Sequence, residues 1–272
     1  MWICMLVIVV GRVHTFTLGT GSDVDVGSTP LPLDTVEVAV DTTTVSGPDN
    51  GSTESSDSLY PYMAAILHVN GTLLGAGAIV GKRWIVATAF QMGAFKPPQL
   101  TVRVGSERWS EGGQLLAVLR MFPHPMFRQF NNDVALMKTA EDIVLCPEAQ
   151  PILLATAAPT IGAHATLLMW NNDSRIEKSE ADLLPASECR MFYSDFELTE
   201  SNVCAVMDHI LPYKVTLYGS PLVFNGLLVG HYMGMEANTF KPSLCSSLAP
   251  LSGWVHLMMT NETDTPLLFP LS

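Results

Sequence analysis

From residue 60 to about residue 259, apolar residues come in short runs broken by Gly, Pro, Asn and Asp. Tyr60-Pro61-Tyr62-Met63-Ala64-Ala65-Ile66-Leu67 leads into Asn70-Gly71, and Leu73 to Val80 returns. That dipeptide between two apolar runs predicts a β-hairpin. Trp84 to Ala89 gives a further run. Thr101-Val102-Arg103-Val104-Gly105 and Gln114-Leu115-Leu116-Ala117-Val118-Leu119 alternate like strands with one buried face. Ile152-Leu153-Leu154, Ala165 to Trp170 and Pro221 to Val229 continue the series, and Ser252 to Met259 predicts a C-terminal helix. Strands at this spacing without intervening helices predict an all-β sandwich or barrel.

Two N-terminal segments have a different texture. Met1 to Val10 is an apolar run too short to cross a bilayer, read as the core of a secretory signal spanning 1–19, with cleavage between Gly11 and Gly19. Residues 20–58 are rich in Ser, Thr, Gly, Pro and acids. Ordering a residue costs roughly 1–2 kcal/mol, which so little apolar area cannot offset, so a disordered leader is expected. The folded part is then 59–272. No second run is long enough for a membrane anchor.

The 272 residues carry a formal net charge of −12. Eight of the acids lie in 20–57, which has no Lys or Arg, so the folded part is only mildly acidic. No basic stripe is present to hold nucleic acid. Sequons at Asn50, Asn70, Asn172 and Asn261 fit a secreted glycoprotein. Gly75-x-Gly77-x-x-x-Gly81 is followed by a strand and not a helix, which argues against a nucleotide loop. The histidines lack metal-ligand spacing. No cofactor or metal is expected.

Candidate chemistry centres on Asn131-Asn132-Asp133-Val134-Ala135-Leu136-Met137-Lys138, preceded by Phe122-Pro123-His124-Pro125. In sequence order the chain also carries Gly75-Ala76-Gly77-Ala78-Ile79-Val80, Trp84-Ile85-Val86, Val102-Arg103-Val104-Gly105, Trp170, Cys189, Cys204 and Gly219-Ser220-Pro221-Leu222-Val223. Together these resemble trypsin-like serine proteases from Tyr60 to about Met259. The resemblance implies two six-stranded antiparallel β-barrels with a cleft between them and a C-terminal helix. It places Asp133 where the family's aspartate orients the catalytic imidazole.

The two partners of that aspartate are missing. Where relatives read Ala-Ala-His-Cys this chain reads Ala87-Thr88-Ala89-Phe90-Gln91, so Phe90 takes the general base's place, or Gln91 if the register slips. Neither takes up a proton near pH 7. Phe90 is expected to fill core. Where relatives read Gly-Asp-Ser-Gly-Gly-Pro, the chain has Thr216-Leu217-Tyr218-Gly219-Ser220-Pro221, which puts Tyr218 in the nucleophile's slot. Thr216 replaces an oxyanion-hole glycine, and Leu217 removes the carboxylate that pairs with a newly cut N-terminus. Upstream of Leu59 the only basic residue is Arg12, so no activation site is encoded.

The resemblance further implies a disulfide between Cys189 and Cys204, and two lost bridges, at Gly75 with Gln91 and at Ala165 with Phe224. Cys146 and Cys245 have no counterparts; they are expected to pair with each other or to stay thiols. The implied function is a secreted non-catalytic homologue. It would bind extracellular proteins, active proteases or their substrates among them, in an immune or reproductive-fluid network. The alternatives are a residual hydrolase using Ser220 and a structural secreted protein. Candidate binding residues beside the former cleft are Tyr218, His231, Tyr232 and Met233.

Overall fold

A computed structural model describes residues 60–208, 218–233 and 241–262, all within one compact unit. The signal, the leader, Asn50, Thr216 and Leu217 lie outside the described residues. Six strands close the first barrel: β1 (Met63–His68), β2 (Leu73–Gly81), β3 (Trp84–Ala87), β4 (Leu100–Val104), β5 (Gln114–Pro123) and β6 (Ala135–Thr139). Their order around it is β1-β2-β3-β6-β5-β4, every pairing antiparallel. A four-residue helix, α1 (Ala89–Met92), follows β3.

The second half contains β7 (Leu153–Leu154), β8 (His164–Trp170), β9 (Ile176–Pro185), β10 (Asn202–Met207), β11 (Pro221–Phe224), β12 (Leu227–Tyr232) and β13 (Ser243–Ser247). The order β11-β8-β9-β10-β13-β12 closes through β11–β12 into a second six-stranded antiparallel barrel, with β7 added in parallel beside β12. A short helix α2 (Ala186–Cys189) leaves β9, and α3 (Ser252–Asn261), the longest helix among the described residues, follows β13. This is the expected all-β architecture with its C-terminal helix.

Burial explains the two strand textures. β4 alternates buried and half-buried residues because only one face points into the barrel, where Val102 and Val104 meet Ile66, Ile79, Leu116 and Val118. β1 is buried along almost its whole length. One of its faces joins that interior, while Met63, Ala65 and Leu67 pack on Leu168 and Trp170 of the second barrel. A second contact layer joins Val86 and Leu136 to Leu228, Leu248 and, from α3, Val255. The two barrels therefore meet over largely apolar surfaces.

Pro221 to Val229, read as one strand, is a hairpin: Asn225 and Gly226 both take positive φ, 49° and 74°, between β11 and β12. Both central residues in that region define a type I′ turn, which Asn-Gly favours. Cys189 and Cys204 are disulfide-bonded, with Cα atoms 5.7 Å apart. Phe224 packs against the cluster holding Ala165. The other two cysteines differ from expectation. Cys146 is itself disulfide-bonded, whereas Cys245 is a free, fully buried thiol in β13, so the two do not pair with each other.

The end of α3 carries a buried charge cluster that the sequence did not announce. The Glu262 carboxylate, 3 % exposed, lies 2.6 Å from Arg120 Nη1 and 3.2 Å from Lys138 Nζ. Lys138 faces the Trp84 ring and Arg120 the Phe122 ring, so the cluster fastens α3 to β3, β5 and β6.

Candidate functional site

Asp133 is the fixed point of the seam. It precedes β6, is 1 % exposed, and accepts the Phe90 backbone N–H at 2.7 Å on Oδ1, with a second bond from the Ala89 N–H. These are among the first N–H groups of α1, which have no partner within the helix. Thr88, extended at the N-cap position, makes no side-chain cap, and Asp133 supplies the missing acceptor from the segment before β6. Removal from water raises the carboxyl pKa to about 6, against the two hydrogen bonds that lower it.

That balance gives a pH prediction. A carboxyl whose folded pKa lies above its unfolded value binds more protons in the native state, so its contribution favours folding below about pH 4. The contribution is lost as pH rises through about 6. Asn cannot titrate. The stability of Asp133→Asn relative to the unmodified protein should therefore improve between pH 4 and pH 7, by up to about 3 kcal/mol. Denaturant titrations at the two pH values check this, and a difference that worsens with pH would contradict it.

Phe90 is the second residue of α1, and its ring stacks on Tyr218, centroids 5.8 Å apart and planes 25° from parallel. Of Phe90 and Gln91, Phe90 is the residue bonded to Asp133 and facing Tyr218. It does not fill core as expected: 57 % of it is exposed. α1 directs the ring outward, and Gln91 takes the inward position. The buried Gln91 amide lies against Gly75 and donates to the Leu74 carbonyl, bringing together the two ends of the implied lost bridge.

The turn after Tyr218 is held by backbone bonds. The Tyr218 carbonyl accepts the Ala76 N–H at 2.9 Å, the Gly219 N–H donates to the Tyr232 carbonyl at 2.9 Å, and the Tyr232 N–H to the Ser220 carbonyl at 3.0 Å. Gly219 has φ 76°, and a Cβ there would run into the Ala76 carbonyl, so only glycine fits.

Ser220 is fully buried and its hydroxyl has no hydrogen-bond partner. His231, in register with Pro221, is equally buried. Neither ring nitrogen is bonded, and desolvation drives its pKa down to about 3, so the ring is neutral. No hydrogen bond joins Ser220 to this histidine.

Three of the four candidate binding residues are corrected by their burial. His231, Tyr232 and Met233 are all inside. β12 runs between β11 and β13; Tyr232 packs into the second barrel's interior, and Met233 into the cluster holding Cys189, Cys204 and Leu244. Only Tyr218 reaches the surface, half-buried beside Phe90. A separate cleft of about 550 Å³, lined in part by Leu183, Pro185, Arg190, Glu200 and Asn202, includes neither aromatic residue. Of the sequons, Asn70 and Asn172 are exposed in turns, and Asn261 is exposed at the last turn of α3. Among the described residues no cluster of three His, Cys, Asp or Glu side chains is placed to hold a metal, and no helix is long and apolar enough to cross a membrane.

Comparison with known proteins gives a consistent match. Residues 49–254 fit the family model described as Trypsin. Trypsin alpha-4 of Lucilia cuprina is 26% identical over 225 residues, covering 75% of this chain and 85% of its own. Human kallikrein-9 is 24% identical over 239 residues, 78% of this chain and 90% of its own. Among solved structures, neuropsin, a serine protease from mouse brain, superposes with a TM-score of 0.66 at 23% identity, covering 75% of this chain and 96% of its own. Kallikrein-related peptidase 10 gives the same TM-score at 22% identity, covering 76% and 99%.

Proposed function

Given that this chain belongs to the trypsin family of serine proteases, we propose that it is a secreted, non-catalytic member that acts by binding other extracellular proteins. The observation that carries the reading is the Phe90–Tyr218 stack beside Asp133. A phenyl ring occupies the base's place and a phenol the nucleophile's. Asp133 is itself 1 % exposed and already accepts two backbone N–H bonds, so with no imidazole between it and Tyr218 no hydroxyl there is activated. Secretion rests on the signal-like N-terminus, the sequons and the Cys189–Cys204 bond.

A displaced nucleophile at Ser220 is disfavoured. The hydroxyl is buried, and the neighbouring His231 is held neutral without a hydrogen bond to it.

The partner surface in this reading is the aromatic pair itself. Rigid aromatic rings give large contact area at low entropic cost, and binding hot spots are enriched in them. Phe90→Ala tests the assignment, because a ring that is 57 % exposed adds little to the core. Melting should be nearly unchanged, and affinity for a partner captured from the native secretion should fall about thirtyfold, roughly 2 kcal/mol. Lowered melting with unaltered affinity would make the ring a plug and sink the assignment.

A further inference from the structure

Outside the seam, the outer face of β5 presents an apolar strip with no cover among the described residues. Leu116 and Val118 point into the first barrel. Leu115 and Leu119 point outward and are 54 % and 49 % exposed, with exposed Ala117 between them. The same face is covered further along: Phe122 packs under α3, and Arg120 is bonded to Glu262.

The course of α3 relates these two halves. Its Trp254 ring meets the His124 ring at 4.8 Å, just past the C-terminal end of β5, whereas Glu262 is fastened to Arg120 four residues back along the strand. The helix therefore runs antiparallel to β5 and is aimed at Leu119, Ala117 and Leu115 in turn. The chain continues beyond Glu262 as Thr-Asp-Thr-Pro-Leu-Leu-Phe-Pro-Leu-Ser, residues 263–272. Four of those ten residues, Leu267, Leu268, Phe269 and Leu271, are large and apolar.

We propose that the strip formed by Leu115, Ala117 and Leu119 is the seat of the chain's own C-terminal segment, 263–272, which continues the path of α3 along β5. The reach suffices: ten extended residues span about 33–36 Å, while Leu115 to Leu119 covers only about 13 Å of strand. β5 is already paired with β4 and β6, so the segment docks by side-chain packing and not as an added strand. Pro266 and Pro270, which lack an N–H and favour extended backbone, suit that mode. The inference is independent of whether the protein is catalytic.

The test places p-benzoylphenylalanine at Phe269 in the full chain, irradiates it, and maps tryptic peptides. The expected product is a monomer cross-linked to the peptide Trp109–Arg120. Its yield should drop at least about tenfold in the Leu115→Asp, Leu119→Asp variant. Both leucines are half-exposed, so that variant should fold; if it does not, the cross-link map of the unsubstituted surface decides alone. Cross-links elsewhere in the chain, or none, overturn the proposal, and cross-linked dimers overturn it in favour of a second copy as the occupant.

Discussion

Phe90→His combined with Tyr218→Ser is expected to leave peptide and ester turnover at least about a hundredfold below that of an active relative. The double substitution puts an imidazole on the residue bonded to Asp133 and a serine hydroxyl on the residue stacked against it. Other departures from the family's pattern persist in the sequence. Thr216 stands where the resemblance puts an oxyanion glycine, and β-branching resists unusual backbone dihedrals. Loss of one oxyanion donor alone costs about 100- to 1,000-fold. On the proposed reading, Leu217 and the lack of any Lys or Arg between Arg12 and Leu59 also leave this turn without the ion pair that the resemblance implies. Steady-state kcat/KM on the purified variant checks the expectation. Turnover within tenfold of an active relative would mean that two side chains were the whole of the loss.

The second large effect concerns stability. Glu262→Ala should cost roughly 3–4 kcal/mol, because breaking a buried ion pair leaves charge in a poor solvent. Lys138 is nearly as buried as the carboxylate it meets, and Arg120 is about one-third exposed, which places the cost toward the lower end of the usual range. Lys138 also keeps the Glu262 backbone carbonyl and the Trp84 ring, which softens the loss. Denaturant unfolding measures the change. A loss below about 0.5 kcal/mol would show that the cluster behaves as a surface pair.

The architecture was legible because its local signals agree with one another. β4 alternates, and Asn70-Gly71 turns the first hairpin. Asn225-Gly226 is an equally plain turn signal, but its flanking residues merge into one apolar run that reads as a single strand. The Glu262 cluster was hidden for a different reason. Its charges lie 142 and 124 positions apart, and nothing local marks a surface-type residue as buried.

The resemblance located the seam but not which way its side chains point. Tyr232 and Met233 border it in sequence, yet each is drawn inward by the second barrel's apolar interior. Phe90, assigned to the core by its apolarity, faces out because Gln91 holds the inward position.

Whether the chain holds an activated nucleophile is read directly by a fluorophosphonate probe. Purified protein, incubated with the probe at neutral pH and weighed intact, is predicted to gain no adduct. A stoichiometric adduct that maps to Ser220 and disappears in Ser220→Ala would contradict the account.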